Sequence, residues 1–400
     1  MDFGLVELTP AQQAFQREAR AFFDEIVTDE VLEEERETGA GFNLDVHLAL
    51  AARGWLTPEW PVGEGGAGLD PVCCRILHLE LVYHQVPRVT AATTRLVWQA
   101  AERYLADPRL RAEVKAGVAN GTVRMCLGYT DPDGGSDVAG ARLKAVRDGD
   151  EWVLNGAKTF TTGAQNCQYT FLVTRTDPER PKHRGLTMFL VPLDSPGVEI
   201  QAIRTFGGER TNMVYYDGVR VADRYRLGEV NEGWTVLRGP LDEEHGMAAR
   251  DRLADLSMGQ GFLRTLEPAF AAALTWAATP AADGTRPADD PAVLARLGQI
   301  ATGYEAALGT PGPMGRVKGA ETLIAKSAEL IDLVGPQAVL QPGAPGLLGD
   351  GALDFAHRFA QGTTIYGGTV EVFRNIIAQH VLKLPRPSYP GAKQFLGRPR

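Results

Sequence analysis

The stretch LRGPLDEEHGMAARDRL, residues 237–253, places three carboxylates and an imidazole side by side, at Asp242, Glu243, Glu244 and His245. Acidic side chains in the first turn of a helix complement its macrodipole and cap its free N–H groups. A carboxylate that is desolvated in an apolar crevice instead has a raised pKa and becomes a general base near neutral pH. The residue types therefore predict either a capped helix start or a proton acceptor.

The bulk composition restricts the class of protein. The chain has 400 residues, of which 44% are hydrophobic and 23% charged, and its formal net charge is −9. This length predicts two or three domains, and the acidic balance without a dense Lys/Arg stripe argues against nucleic acid and anionic membranes as partners.

No apolar run approaches the roughly 20 residues that span a bilayer, and the N-terminus does not have the pattern of a signal peptide. The four cysteines, Cys73, Cys74, Cys126 and Cys167, lack metal-ligand spacing, so we expect a cytoplasmic protein with reduced thiols, no metal and no membrane insertion.

Hydrophobic periodicity divides the chain into three parts. Residues 1–120 are helical, with Thr9 as the predicted N-cap of the first helix. Residues 121–234 contain short alternating runs and an Asp-Gly turn at 148–149, which predict a middle antiparallel β-barrel. Residues 235–400 return to helical spacing and predict a helical bundle. Helices, a β-domain and a bundle in this order leave a crevice where the three parts meet, a common place for a cofactor.

The first motif with chemical potential is YTDPDGGSDVAGA, residues 129–141. A strand ends at Tyr129 and Thr130, an Asp-Pro turn follows, and Gly135 and Ser136 then expose backbone amides and a hydroxyl. Such turns form concavities that bind anions, and hydroxyl groups add donors. A tight turn with local side-chain bonding explains the same residues equally well.

Two further stretches place polar groups at the ends of elements. In NGAKTFTTGAQ, Phe160 stands two residues before Thr162 at a strand end, so that the pair could flank a flat ring and bond its edge; an ordinary half-buried strand is the alternative. In IYGGTVEVFRN, two glycines precede Thr369, and Glu371 lies in the first turn of the helix that follows. Backbone amides at a helix start bind anions or carbonyl oxygens, whereas a glycine hinge with a threonine cap is the alternative.

In this order and spacing the motifs resemble the acyl-CoA dehydrogenase family across essentially the whole chain. YTDPDGGSDVAGA resembles the family's YTEPxAGSDxxG, and LNGAKTFTTGAQ resembles LNGxKxWITNG. GVRVADRYRLGEVNEGW resembles VRVPxxxxLGExGxGW, and GGTVEVFRNIIAQHVLKLPR resembles GTxEIQRNIIAxxxLGLPR. The resemblance implies an α/β/α multi-domain architecture with N-terminal helices, a middle β-barrel and a C-terminal four-helix bundle. It also implies FAD between the last two domains and a tetrameric assembly.

The resemblance also implies which residues contact the flavin. Thr130 matches the threonine that bonds the pyrimidine edge, and Ser136 matches the serine near the pyrophosphate. Phe160 stands where a tryptophan usually covers one face of the ring, and Thr162 matches the hydroxyl beside flavin N5. The cofactor-binding residues implied in this way are Tyr129, Thr130, Gly135, Ser136, Phe160, Thr162, Thr369 and Glu371.

The family reaction removes a proton from the α-carbon and a hydride from the β-carbon of an acyl-CoA thioester, which gives the trans-2-enoyl-CoA, and an electron-transfer flavoprotein takes the electrons. In many members the base is a glutamate directly after the tyrosine of the C-terminal motif, but here that position is Gly367. The backbone N–H of Gly367 still serves to polarise the thioester oxygen. Other branches place the base on the first bundle helix in the pattern GWxxxxxxLxxERG, which assigns the role to Glu244, with His245 in place of the usual arginine.

Three functions stay open at the level of sequence. The first is an FAD-dependent acyl-CoA dehydrogenase that uses Glu244. The second is a non-catalytic partner subunit of a hetero-tetramer, as in some assemblies of the actinobacterial branch that this sequence resembles. The family's RxxFG arginine, which reaches the FAD of an adjacent subunit, has only Arg286 as a weak substitute here. The third is a flavin oxidase or monooxygenase of the same fold. Homo- and hetero-tetramers, and straight, branched or steroid acyl groups, all remain open.

Overall fold

The described residues of the N-terminal part form six α-helices. The computed structural model describes residues 7–87, 89–244, 258–340 and 343–385. The N-terminal helices are α1 (Pro10–Ile26), α2 (Asp29–Thr38), α3 (Leu44–Ala52), α4 (Pro71–Tyr83), α5 (Val89–Tyr104) and α6 (Pro108–Asn120). The predicted cap is confirmed, because the Thr9 hydroxyl accepts the Gln12 N–H while the Gln12 side chain accepts the Thr9 N–H.

An eight-stranded sheet follows within the described residues. Its strands are β1 (Met125–Gly128), β2 (Lys144–Asp148), β3 (Glu151–Lys158), β4 (Tyr169–Arg175), β5 (Leu186–Pro192), β6 (Val198–Arg204), β7 (Arg210–Ala222) and β8 (Arg226–Leu227). The strand order is β6-β7-β3-β2-β4-β5-β8, with β1 paired to β4. The predicted hairpin turn is present, with Gly149 at φ +62° between β2 and β3. The pairing is mainly antiparallel as predicted, but β1 and β2 both run parallel to β4, because each reaches β4 after a connection rather than a tight turn.

The remaining described elements of regular structure are helices. The helices are α7 (Gly233–Glu244), α8 (Met258–Leu263), α9 (Leu266–Ala278), α10 (Pro291–Leu308), α11 (Gly312–Val334), α12 (Ala352–Gly362) and α13 (Val370–Ile376), followed by a π-helical turn at Ile377–Val381. The C-terminal helical segment is interrupted between α12 and α13, and α13 begins after Thr369, where the sequence predicted a helix start. The reason is the pair Gly367 and Gly368, at φ +66° and +88°, which takes the chain out of helical geometry.

Two of the apolar cores formed by the described residues hold the elements around the site. One core joins α5 and α6 to strands β1, β4 and β5 and to helix α7, so that α7 is fixed against the sheet. The other core joins α9, α10, α11 and α12 into a four-helix packing. Arg36 of α2 and Asp350, just before α12, form an ion pair of 2.9 Å that links the first and last parts of the chain directly.

The hairpin tip, residues 205–209 between β6 and β7, contacts both helical parts. The N–H of Arg210, the first residue of β7, donates to the carbonyl of Gly39 at 2.7 Å. On the other side, the Arg358 guanidinium of α12 donates to the carbonyl of Phe206 at 3.1 Å. The three parts of the chain thus meet at the hairpin tip. Within the described ranges, no helix has the length and apolar character needed to cross a bilayer.

Candidate active site

The first two motifs lie next to each other. The N–H of Thr159 donates to the carbonyl of Thr130 at 2.8 Å, in an isolated antiparallel bridge outside the regular strands. The strand end at Tyr129 and Thr130 and the turn that carries Phe160 and Thr162 are therefore adjacent, although about thirty positions separate them in the sequence. The structure thereby brings together residues that the sequence placed in two separate candidate sites.

A buried ion pair fixes this junction. The Lys158 ammonium is fully buried and lies 2.6 Å from a carboxylate oxygen of Asp131, and it also donates to the Tyr129 carbonyl at 3.2 Å. The second Asp131 oxygen accepts the N–H of Arg142. Burial lowers the pKa of Lys158 to about 8 and Asp131 opposes that shift, so the ammonium stays mostly protonated at neutral pH. The sequence interpretation missed this pair, although both positions stand inside the two family patterns.

Phe160 is held away from the protein in a strained conformation. Its φ is +57°, in the left-handed region that bulky side chains avoid, and its side chain is 64% exposed. Asn212, which is fully buried, holds the next residue in place: its carbonyl accepts the Thr161 N–H and its amide donates to the Thr161 carbonyl, both at 2.9 Å. Because these bonds impose the strain, the outward position of the ring points to a function.

A pair of hydroxyls lies beside this ring. The Thr162 Oγ1 is 3.0 Å from the Thr211 Oγ1, and Thr211 is buried at the start of β7. The Thr161 hydroxyl is buried and has no hydrogen-bond partner among the described residues. The turn therefore offers an ordered hydroxyl, an unsatisfied hydroxyl and an exposed aromatic face within three consecutive residues.

The turn that contains Gly135 and Ser136 is exposed. A Cβ added at Gly135 would meet no heavy atom within 4 Å, so open space lies above this backbone. Lys182, in a short turn between β4 and β5, forms an ion pair of 2.7 Å with Asp137. The exposed amides and the Ser136 hydroxyl can serve a phosphate group that approaches from solvent.

The third motif forms a loop, residues 363–369, between α12 and α13. Arg316 of α11 is 1% exposed and donates to the carbonyls of Tyr366 at 2.7 Å and Gly368 at 3.3 Å. The Thr369 hydroxyl caps α13 by accepting the Val372 N–H at 3.3 Å, which confirms the capping alternative for that group. Glu371 is exposed, and its carboxylate lies 3.6 Å from Arg374 on the same helix.

Two carboxylates that the sequence interpretation missed lie where the three parts meet. Burial raises the pKa of Glu209, in the hairpin tip. Burial also raises the pKa of Tyr366 well above its usual range; Glu209 adds to that rise and Arg316 opposes it, so all three groups are within electrostatic reach. Burial raises the pKa of Glu35 to about 7, against the backbone N–H groups of Gly41 and Phe42 and with a contribution from Glu209.

The helix that carries Glu244 begins too early for the acidic cluster at 242–244 to cap its N-terminus. Helix α7 starts at Gly233, so Asp242, Glu243 and Glu244 lie in its third turn and do not cap its N-terminus. Asp242 lies 3.5 Å from Arg238 in an i,i+4 pair between two exposed side chains. The side chain of Glu244, and all of His245, lie outside the described residues, so the proton-acceptor role of Glu244 stays a prediction.

Models of one known protein family match three successive parts of the chain. Family models described as the N-terminal, middle and C-terminal domains of acyl-CoA dehydrogenase match residues 9–121, 126–219 and 312–382. The chain belongs to the acyl-CoA dehydrogenase family. It is an oxidoreductase that acts on acyl-CoA, and its cofactor is FAD.

Several similar proteins come from Mycobacterium tuberculosis. Acyl-CoA dehydrogenase FadE26 of Mycobacterium tuberculosis is 31% identical over 409 residues, which cover 95% of this chain and 99% of that protein. Acyl-CoA dehydrogenase IpdE1 of the same organism is 32% identical, over 84% of this chain and 86% of that protein. Among solved structures, a chain of the ChsE4-ChsE5 complex from M. tuberculosis is 29% identical with a TM-score of 0.81, over 96% of this chain and all of that one. A chain of the Tcur3481-Tcur3483 steroid ACAD is 27% identical with a TM-score of 0.82, over 97% of this chain and all of that one.

The residues of this acyl-CoA dehydrogenase fit FAD. A flat isoalloxazine ring needs an apolar face and a hydrogen-bond partner at its edge, which the exposed Phe160 ring and the Thr162 hydroxyl can supply. A pyrophosphate needs exposed donors, which the turn at Gly135 and Ser136 supplies. Arg286 is occupied by a pair with Asp289 at 2.8 Å in its own 3₁₀ turn. Among the described residues, no cluster of three or more His, Cys, Asp or Glu side chains is arranged to hold a metal.

Proposed function

We propose that the chain catalyses α,β-dehydrogenation of an acyl-CoA thioester to the trans-2-enoyl-CoA and passes the electrons to an electron-transfer flavoprotein. The observation that carries this proposal is the bridge between Thr130 and Thr159, which sets the strained Phe160 and the Thr162 hydroxyl beside the first motif. Bound FAD supplies the chemistry that no side chain offers, a two-electron acceptor for the hydride of the β-carbon. The chain supplies the binding surface, a proton acceptor and a donor for the thioester oxygen.

We propose Glu244 as the proton acceptor. Helix α7 is packed against α5, β5 and the turn at 182–184, so its third turn is anchored to the sheet that carries the flavin motifs. Gly367 leaves the usual position of the base without a side chain, so a carboxylate has to come from another element. Glu209 is the competing candidate, because partial burial raises the pKa of this carboxylate and its charge acts on Tyr366.

We propose the backbone N–H of Gly367 as the donor to the thioester oxygen. Negative charge develops on that oxygen as the α-proton leaves, and a donor that is already fixed in position stabilises it without reorganisation. We also propose the flavin contacts assigned by resemblance, at Tyr129, Thr130, Gly135, Ser136, Phe160, Thr162, Thr369 and Glu371. For Thr369 and Glu371 the described contacts are an N-cap and a surface pair, so their approach to FAD rests on the resemblance alone.

The test begins with the absorbance spectrum of the purified chain and anaerobic addition of acyl-CoAs, both fatty and steroid-derived, since one similar structure is a steroid ACAD. We expect a yellow protein that one of these thioesters bleaches. Glu244→Gln should then keep the flavin while bleaching slows by about 10²–10⁴-fold, the usual contribution of a general base. Glu243→Gln is the matched control and should bleach as the parent does. Loss of bleaching in Glu209→Gln with retention in Glu244→Gln would move the role of base to Glu209.

A second candidate function, one subunit of a hetero-tetramer, has its own support. Arg286 is engaged within its own turn, and the described residues offer no other arginine in the position of the RxxFG motif. Two of the similar structures, ChsE4-ChsE5 and Tcur3481-Tcur3483, are assemblies of two different chains. Co-expression with related dehydrogenase chains, followed by affinity purification and mass measurement, tests this. A homo-tetramer that bleaches without a second chain would exclude it.

A further inference from the structure

Arg316 is a buried cation whose contacts converge on one loop. It lies in the second turn of α11 with 1% of its surface exposed. Its guanidinium carbon lies 5.1 Å from the centre of the Phe262 ring and 5.3 Å from the centre of the Phe373 ring. The same Nη2 atom reaches the carbonyl oxygens of Tyr366 and Gly368. A charge this deeply buried is costly unless such partners compensate it, so the loop and the arginine are mutually dependent.

The bond to the Tyr366 carbonyl also fixes the direction of the next N–H. The described residues contain no cis peptide, and in a trans peptide the C=O and the N–H point to opposite sides. With the Tyr366 oxygen turned toward Arg316, the N–H of Gly367 points away from α11. That N–H has no hydrogen-bond acceptor among the described residues. The second bond, to Gly368, restrains the peptide on the other side of the glycine pair.

The positive charge of Arg316 also acts on the peptide unit between Tyr366 and Gly367. A cation at the oxygen of an amide polarises the unit and makes its N–H a stronger donor, an effect that grows where water is excluded. Negative charge at the acceptor of that N–H would therefore be stabilised by Arg316 without direct contact. The neighbouring ionisable groups, Glu209 and Tyr366, cannot replace this effect, because neither provides a positive charge.

We propose that Arg316 is a positioning residue for thioester activation: it orients the Gly367 peptide and polarises its N–H toward the thioester oxygen. This inference rests on the proposed function, in which Gly367 is the donor. It predicts that removal of the charge makes the α-proton of the bound thioester less acidic. A residue that only stabilised the loop would change thermal stability but leave that acidity unaltered.

A 3-thiaacyl-CoA is the probe, used with the full chain carrying FAD. Sulfur replaces the β-carbon, so the ligand can lose its α-proton but cannot be dehydrogenated, and its enolate gives a long-wavelength charge-transfer band with oxidised flavin. A pH titration of that band reports the pKa of the bound ligand. In Arg316→Met we expect this pKa to rise by about one unit or more, a tenfold or larger loss of acidity. We expect kcat to fall by about 10–100-fold with KM changed less than about threefold, since the interaction strengthens only as charge develops.

Two further variants keep the result interpretable. Arg316→Lys retains the charge without the planar fork and should raise the ligand pKa less than Met does; it carries the test if Arg316→Met does not fold. Arg296→Met is the matched control, since Arg296 of α10 also donates to a carbonyl of α11, that of Glu329, at 3.3 Å, but thirteen residues further along the helix. A parental ligand pKa in both Arg316 variants would overturn the inference while the proposed function stands. A parent chain that binds the probe without any band would overturn both.

Discussion

The two ends of the candidate site differ in how their charges are satisfied. The flavin end consists of the two motifs proposed to bind FAD, residues 129–141 and 155–165. There Lys158 and Asp131 are buried and form an ion pair of 2.6 Å, and backbone hydrogen bonds join the two motifs. The thioester end consists of the loop at 363–369, proposed to bind the thioester, and the hairpin tip at 205–209 with Glu35 near it. There burial raises the pKa values of two carboxylates, Glu35 and Glu209, and like-charge repulsion adds to the shift of Glu35. There the single buried cation, among the described side chains, is Arg316, which is committed to backbone carbonyls.

This difference separates two kinds of requirement. A cofactor that stays bound needs a rigid and electrically matched site, because every unpaired buried charge costs stability. Proton transfer from a carbon atom needs groups whose pKa values differ from those in water, and such groups are left partly uncompensated. The glycine at position 367 fits the same division, because the catalytic role proposed for it is a backbone role, while the proposed flavin contacts include side chains.

The largest effect is expected from breaking the matched pair. Lys158→Met leaves the Asp131 carboxylate buried without its cation, which costs about 3–5 kcal/mol of unfolding free energy. We expect a large shift of the urea midpoint and loss of bound flavin on gel filtration, because the bridge from Thr130 to Thr159 loses its anchor.

The double variant Asp131→Asn/Lys158→Met is the control for that prediction. It removes both charges, and the asparagine oxygen can still accept the N–H of Arg142, so a substantial part of the lost stability should return. If the single variant is as stable as the parent and keeps its flavin, the flavin end is not held by this pair and the comparison of the two ends fails.

A smaller effect is expected at Gly367, the glycine proposed to donate to the thioester oxygen. Gly367→Ala puts a Cβ on a residue at φ +66°, which costs about 1–2 kcal/mol, and rotation of the peptide relieves that strain. Because the rotation misdirects the N–H, we expect kcat to fall about tenfold with unchanged flavin content. Gly149→Ala is the matched control, since that hairpin glycine has φ +62° and open space around it. It should show similar strain in thermal unfolding but parental kcat; equal kcat losses in both would remove any special role of Gly367.

The flavin end could be predicted from sequence to a larger extent than the thioester end. The motifs around Thr130 and Phe160 are local, so their residue types and turns were visible in order along the chain. The Lys158–Asp131 pair lay inside those motifs, but its burial depends on the fold. Arg316 and Glu209 belong to no local motif. They reach the site because α11 packs against the loop before α13 and because the hairpin tip meets both helical parts, contacts that are distant in sequence.

The smallest effect is expected from the charge imbalance at the meeting point of the three parts. The pKa of Glu35 is about 7 in the folded chain and lower when unfolded, so the folded state binds more protons between these values. The contribution of Glu35 to the free energy of unfolding is therefore complete at low pH and is lost as the pH rises through 7. Glu35→Gln keeps an acceptor for the Gly41 N–H, which lies 2.8 Å from a carboxylate oxygen, and should gain about 1 kcal/mol over the parent between pH 5 and pH 8 in urea unfolding. Glu37→Gln makes the same charge change on an exposed residue of α2 and should follow the parent at both pH values. If Glu35→Gln also follows the parent, the thioester end is as well matched as the flavin end, and its ionisable groups lack the uncompensated charge that distinguishes the two.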